Sequence, residues 1–196
     1  MITDRNIQGL LHEIALNNCE KAYKTLFMGM HESLVEFAGS ILKSSEDAEE
    51  VVSDFFMNIW QKRTSLPEIE RPRLYFFVGV KNASLNRLIV KERIKLPPEI
   101  EWETSLKSIF FNPEELMLSA EVVKNVMNAI NELPPRCKMI FKLVKEEGLK
   151  YADVAKLLDI SVKTVEAQMA IALRRIKTHT EFRNEFPELH SLLQKK

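Results

Sequence analysis

The stretch Gly148 to Lys177, GLKYADVAKLLDISVKTVEAQMAIALRRIK, carries the periodicity of a short helix, a tight turn and a longer helix ending in basic residues. Val154, Ala155 and Leu158 form one apolar stripe, Ile160 follows the turn, and Val165 and Met169 continue the stripe on the second helix. Ala155 is small where the two helices would cross. Ser161 has the hydroxyl that caps a helix by accepting a backbone N–H of its first turn. This is the layout of a helix-turn-helix, whose second helix enters the DNA major groove with its N-terminal residues against base edges.

Ser161, Val162, Lys163, Glu166, Ala167 and Ala170 lie away from the apolar stripe and are the candidates to face a groove. Lys163 has the chemistry to donate to guanine and Glu166 to accept from cytosine. Arg174, Arg175 and Lys177, about three turns further on, suit phosphates. The same stripe also fits a plain helical hairpin with a solvated basic end.

Working outward, nearly every segment has a helical period and none reads as a strand. Ile7, Leu10, Leu11 and Ile14 mark a first helix, and Leu26, Phe27, Met30, Leu34, Phe37 and Ile41 a longer second one. Ser45 with Glu46, Asp47 and Glu49 is read as opening a third, since a hydroxyl cap and acidic residues suit the positive end of a helix dipole. Ala48, Val51, Val52, Phe55, Phe56, Ile59 and Trp60 form its apolar side. Pro72 is expected to start a fourth helix with Leu74, Phe77, Val78, Leu85 and Leu88 available for burial. Pro97 and Pro98 with scattered glutamates indicate a linker over 96–112, after which a second helical domain is expected from about Pro113, broken at Pro134 and Pro135.

Lys and Arg total 28 against 28 Asp and Glu, but the charges are segregated. Residues 1–70 carry twelve acidic side chains against six basic, and 71–95 carry seven basic against one acidic. Residues 96–135 are again acidic, seven to two, and 136–180 basic, ten to five. The two basic blocks are where a polyanion would dock, although a single block also fits a solvated face. In 71–95 the cations are interleaved with Tyr75, Phe76, Phe77, Asn82 and Asn86. Rings and amides beside cations suit unstacked single-stranded bases, with most of the phenylalanines expected in the core.

Glu46, Asp47, Glu49, Glu50 and Asp54 invite a metal reading, yet several belong to a capping turn and no histidine stands at ligand spacing. No metal or cofactor is expected. An acidic surface beside Phe and Trp better suits a basic protein partner. No glycine-rich phosphate loop occurs, and the four histidines are scattered. Cys19 and Cys137 are read as reduced, partly buried thiols. No apolar run reaches the roughly 20 residues of a membrane span, and MITDRNIQGLLHEI lacks a secretory apolar core, so a cytoplasmic location is expected.

Taken together, the segments resemble bacterial sigma factors of the sigma-70 family, in the small extracytoplasmic-function (ECF) group, over about residues 8 to 180. EDAEEVVSDFFMNIW (46–60) resembles the core-polymerase-binding helix, RPRLYFFVGVKNASLNRL (71–88) the -10 promoter helix, and LPPRCKMIFKLVKEEGLKYADVAKLLDISVKTVEAQMAIALRRIK (133–177) the domain that reads the -35 element. The resemblance implies an all-α protein of two small helical domains joined by a flexible linker. Residues 1–95 would be the region 2 domain, 96–112 the linker, 113–180 the region 4 domain and 181–196 a tail.

It also implies roles for residues. Glu49, Glu50, Ser53, Asp54 and Asn58 would bind core polymerase. Arg71, Arg73, Lys81, Asn82, Asn86, Arg87 and Lys91 would bind the -10 element, Asn82 and Asn86 helping to capture a flipped base. Ser161, Val162, Lys163, Thr164, Glu166, Ala167, Arg174 and Arg175 would bind the -35 element. The implied partners are core RNA polymerase, promoter DNA and an anti-sigma factor, often membrane-anchored in the family. No chemistry of the chain's own is implied. Three positions depart from the family pattern: Ser53 replaces the usual glutamine, Asn86 a common aspartate, and Asp159 a frequent turn glycine. Asp at 159 is tolerable because its short polar side chain accepts a left-handed backbone. The competing reading is a stand-alone response-regulator output protein, for which residues 1–95 offer neither alternating strands nor a receiver aspartate; an enzyme is a distant third.

Overall fold

A computed structural model describes residues 3–92 and 120–179, which fall into two compact units, one within Met1–Ser105 and one within Leu106–Lys196. Among the described residues all regular structure is helical, as the patterning requires. The expected linker 96–112, the expected domain start near Pro113 and the tail 181–196 lie outside the described residues. No described helix is long and apolar enough to cross a membrane.

The first unit contains α1 (Asp4–Asn17), α2 (Glu20–Leu42), α3 (Ser45–Gln61), a 3-10 segment (Arg63–Glu68) and α4 (Pro72–Glu92). Local chemistry sets the ends. Thr3 caps α1 by accepting the Asn6 N–H, and Asn18 and Lys43 close α1 and α2 in left-handed conformations. The cap of α3 is Ser44, not Ser45: its hydroxyl accepts the Asp47 N–H at 3.2 Å, which leaves Ser45 as the first helical residue. The 3-10 segment went unread because Pro67 within RTSLPE signals a loop, whereas its Leu66 is buried and pins the segment against α1.

The core of this unit is built from Ile7, Leu11 and Ile14 of α1, Leu26, Met30, Leu34 and Phe37 of α2, Val52, Phe56 and Ile59 of α3, and Phe76, Phe77 and Val80 of α4. Phe77 meets Phe37 edge-on at 5.1 Å, and Phe56 meets Phe27 at 4.9 Å. Helix α4 buries a wider arc than expected. It packs against both α2 and α3, so Phe76, Val80 and Ser84 are fully buried while Val78, Leu85 and Leu88 remain half-exposed.

The second unit contains α5 (Ala120–Asn131), α6 (Pro135–Lys145), α7 (Tyr151–Leu158) and α8 (Val162–His179). Pro135 stands at the first position of α6, where its missing N–H is harmless. Gly148, at φ +65°, supplies the left-handed turn after α6 that lets the Leu149 N–H reach the Leu143 carbonyl at 3.0 Å. The stripe read from sequence is the one that packs: Val154, Ala155, Leu158, Val165 and Met169 are buried, with Ala172 and Ile176 extending it. The basic block is only partly a surface. Lys138 is buried with its ammonium on Asn131 Oδ1 at 2.9 Å, and Lys142 is buried 3.5 Å from Glu146.

Candidate nucleic-acid and protein interfaces

The turn between α7 and α8 is built from two side chains. Asp159 adopts φ 55°, and its N–H closes α7 on the Ala155 carbonyl. Ser161 accepts the Thr164 N–H at 3.0 Å, and the two hydroxyls lie 2.8 Å apart. Ser161, Val162, Lys163, Glu166, Ala167, Ala170, Arg174, Arg175 and Lys177 are exposed together on α8, while Thr164 is half-buried by the cap. Their common face carries a cation and a carboxylate in its first turns, then small apolar side chains, then a basic end. Two neighbours were not anticipated. Ile171 is exposed beside Ala170, and burial together with the Glu166 carboxylate pushes the Tyr151 phenol above its ordinary value, which places the start of α7 next to this exposed face of α8.

On α3, Glu49, Glu50, Ser53, Asp54 and Asn58 are all exposed, Asn58 using its amide on the Asp54 carbonyl at 2.9 Å. Met57 stands among them 54% exposed. The apolar side read from sequence leaves Met57 out, and its position one turn after Ser53 was the available signal. Of the aromatics expected to accompany this acidic face, Phe56 is buried, Phe55 and Trp60 are half-buried, and Trp60 lies under the Arg63 guanidinium at 5.1 Å.

Along α4, Tyr75, Gly79, Asn82 and Asn86 recur at intervals of four, three and four, which places them on one helix face. Tyr75, Asn82 and Asn86 are exposed, Lys81 is half-buried and Arg71 exposed. Phe76 and Phe77 belong to the core and leave this surface. Three of the cations assigned to DNA instead bond carboxylates of the same unit, Arg73 buried, Arg87 half-buried and Lys91 exposed. Arg73 is 4% exposed, with Nε 3.3 Å from Asp4 Oδ1. Arg87 bonds Asp47 and Glu50, and Lys91 bonds Asp47 Oδ2 at 2.6 Å. Arg73 is held where α4 meets α1, and Arg87 and Lys91 where α4 packs on α3, which sets the basic block opposite the acidic one. Lys91, aided by Arg87 and Ser44, holds the Asp47 carboxyl at about 2, below the ordinary 3.8; the two carboxylates raise Arg87 in turn.

Parts of the chain are similar to known proteins. Residues 124–176, which span most of α5 through α8, match the family model described as sigma-70, region 4. The chain is 27% identical over 160 residues to the ECF RNA polymerase sigma-E factor of Escherichia coli (strain K12), covering 76% of this chain and 82% of that protein. It is 21% identical over 179 residues to the RNA polymerase sigma-H factor of Pseudomonas aeruginosa, covering 86% and 91%. Among solved structures, CnrH in complex with the cytosolic domain of CnrY aligns at TM-score 0.48 and 17% identity, over 91% of this chain and 99% of that one. Residues 124–176 thus carry sigma-70 region 4, and over most of its length the chain is similar to extracytoplasmic-function sigma factors of transcription initiation.

Proposed function

We propose that this sigma factor binds core RNA polymerase through the exposed face of α3, reads the -35 element with α8 and holds the opened -10 strand on α4. The observation that carries the reading is the separation of three faces with different chemistry. Glu50, Ser53, Asp54, Met57 and Asn58 offer carboxylates around an apolar centre, which suits a basic protein surface rather than DNA. Lys163 and Glu166 present a donor and an acceptor from the first turns of a capped helix, with Val162 and Ala167 apolar beside them, a set that distinguishes base pairs in the major groove. Asn82 and Asn86 display amide edges in line with Tyr75, a surface for unpaired bases.

Melting on this reading is a population effect. A strand held on α4 only when unpaired favours separated DNA without covalent chemistry. Arg71 and Lys81 supply the outer cations, whereas Arg73, held on Asp4, supports the helix. An anti-sigma factor, reversibly covering these faces, is the expected regulator.

Variants separate the faces. Lys163→Ala and Glu166→Ala should change preference at individual -35 base pairs by roughly 1–3 kcal/mol each. Asp54→Lys should weaken polymerase binding and leave that preference unchanged. The opposite pattern would overturn the assignment of the two surfaces.

A further inference from the structure

Arg87 and Lys91 of α4 meet Asp47 and Glu50 of α3 in a cluster whose formal charges cancel. The Arg87 Nε and Nη2 lie 3.3 and 3.1 Å from Asp47 Oδ1, its Nη1 lies 3.1 Å from Glu50 Oε1, and its Nη2 also bonds Glu50 Oε2. The four members are not equivalent. Asp47 is buried and keeps Lys91 at 2.6 Å, whereas the side chains of Glu50 and Arg87 are 51% and 33% exposed. Exposed pairs contribute little stability, so the Glu50–Arg87 bond exchanges readily for other partners. Arg87 follows Asn86 of the face assigned to the -10 strand, and Glu50 belongs to the face assigned to polymerase.

Resting on that reading, we propose that the Glu50–Arg87 ion pair links polymerase docking to DNA capture. In the free protein Glu50 occupies the Arg87 guanidinium. A basic group of the polymerase that engages Glu50 leaves Arg87 held on Asp47 Oδ1, with Lys91 on Oδ2, and releases the Nη1 edge of the guanidinium to bond a backbone phosphate of the -10 strand. Removing one carboxylate from a neutral cluster leaves one net positive charge beside the amides, and any such coupling strengthens both binding events equally.

The test measures binding of single-stranded DNA, carrying the -10 strand of a promoter the protein transcribes, to the intact chain without polymerase and across a salt series. Glu50→Gln should bind about 3–10-fold more tightly than Glu49→Gln, which removes the same charge one residue earlier outside the cluster, and its salt slope should be steeper by up to about 0.7. Arg87→Gln should stay within about twofold of wild type, because the free protein already withholds that cation, and the Glu50→Gln, Arg87→Gln double variant should lose the gain. Glu50→Asp, which keeps a carboxylate, should resemble wild type. Equal affinities for Glu50→Gln and Glu49→Gln, a gain that persists in the double variant, or no measurable binding by Glu50→Gln would each overturn the link while the sigma reading stands. A wild-type chain that neither binds core polymerase nor supports transcription would overturn that reading itself, and the link with it.

Discussion

Gly79 of α4 lies beneath the ring of Phe55 from α3: a Cβ at position 79 would come within 2.2 Å of Phe55 Cε2 and 2.6 Å of its Cζ. The ring is braced by Tyr75 at 6.3 Å and Phe76 at 5.6 Å, so it cannot swing away without losing those contacts. Alanine in a helix interior gains about 0.5–1 kcal/mol over glycine, while overpacking costs about 1–3 kcal/mol, and here the steric effect is larger. Gly79→Ala should therefore destabilise the N-terminal unit by roughly 1 kcal/mol. In a Phe55→Ala background the same change should stabilise it by about 0.5–1 kcal/mol. Urea melts of the four proteins decide the matter, and an unchanged sign between backgrounds contradicts the packing described.

Ser84 is fully buried on α4 and its Oγ has no hydrogen-bond partner. A buried hydroxyl without a partner is a net liability, and alanine is the better helix former. Ser84→Ala should leave stability unchanged or raise it by up to about 1 kcal/mol. A loss above that size in thermal melts would mean the hydroxyl is bonded after all.

Asp47 gives the first unit a defined acid sensitivity. Its folded carboxyl sits at about 2 against an ordinary 3.8, so the stabilisation is fully present above the ordinary value and disappears as pH falls toward 2. Asp47→Asn should lower stability at neutral pH and flatten the decline between about pH 4 and 2. Parallel acid titrations of wild type and variant by circular dichroism check this, and superimposable declines between about pH 4 and 2 would refute it.

The turn between α7 and α8 offers a pair of opposite effects. Ser161→Ala removes the cap on the Thr164 N–H and should destabilise the C-terminal unit by about 1 kcal/mol. Asp159→Gly relieves a left-handed residue at φ 55° and should be neutral or stabilising by a few tenths of a kcal/mol. Thermal melts showing Ser161→Ala neutral or Asp159→Gly strongly destabilising would contradict this turn geometry.

Much of the fold was legible because it rests on local rules. The stripe through Val154, Ala155, Leu158, Val165 and Met169, the cap at Ser161 and the left-handed Asp159 follow from periodicity and side-chain chemistry within a few residues. What the sequence hid was long-range. Nothing near Arg73 announces Asp4, 69 residues away, and nothing near Arg87 announces Asp47, 40 residues away, so both arginines read as surface cations. Phe76 and Phe77 were ambiguous for the same reason, since only the packing of α4 between α2 and α3 decides how wide its buried arc is. Met57 lies off the apolar stripe of α3 and among its acidic residues, so neither periodicity nor charge pattern singled it out.

The proposed function requires that this chain confer promoter recognition on a polymerase that lacks it. The direct measurement is run-off transcription with purified core RNA polymerase, promoter-bearing DNA and the full chain, free of any anti-sigma factor. A stable polymerase complex is expected, with transcripts that start at a fixed position only when the chain is present and that are lost with Asp54→Lys. A chain that neither associates with core polymerase nor yields promoter-dependent transcripts would contradict it.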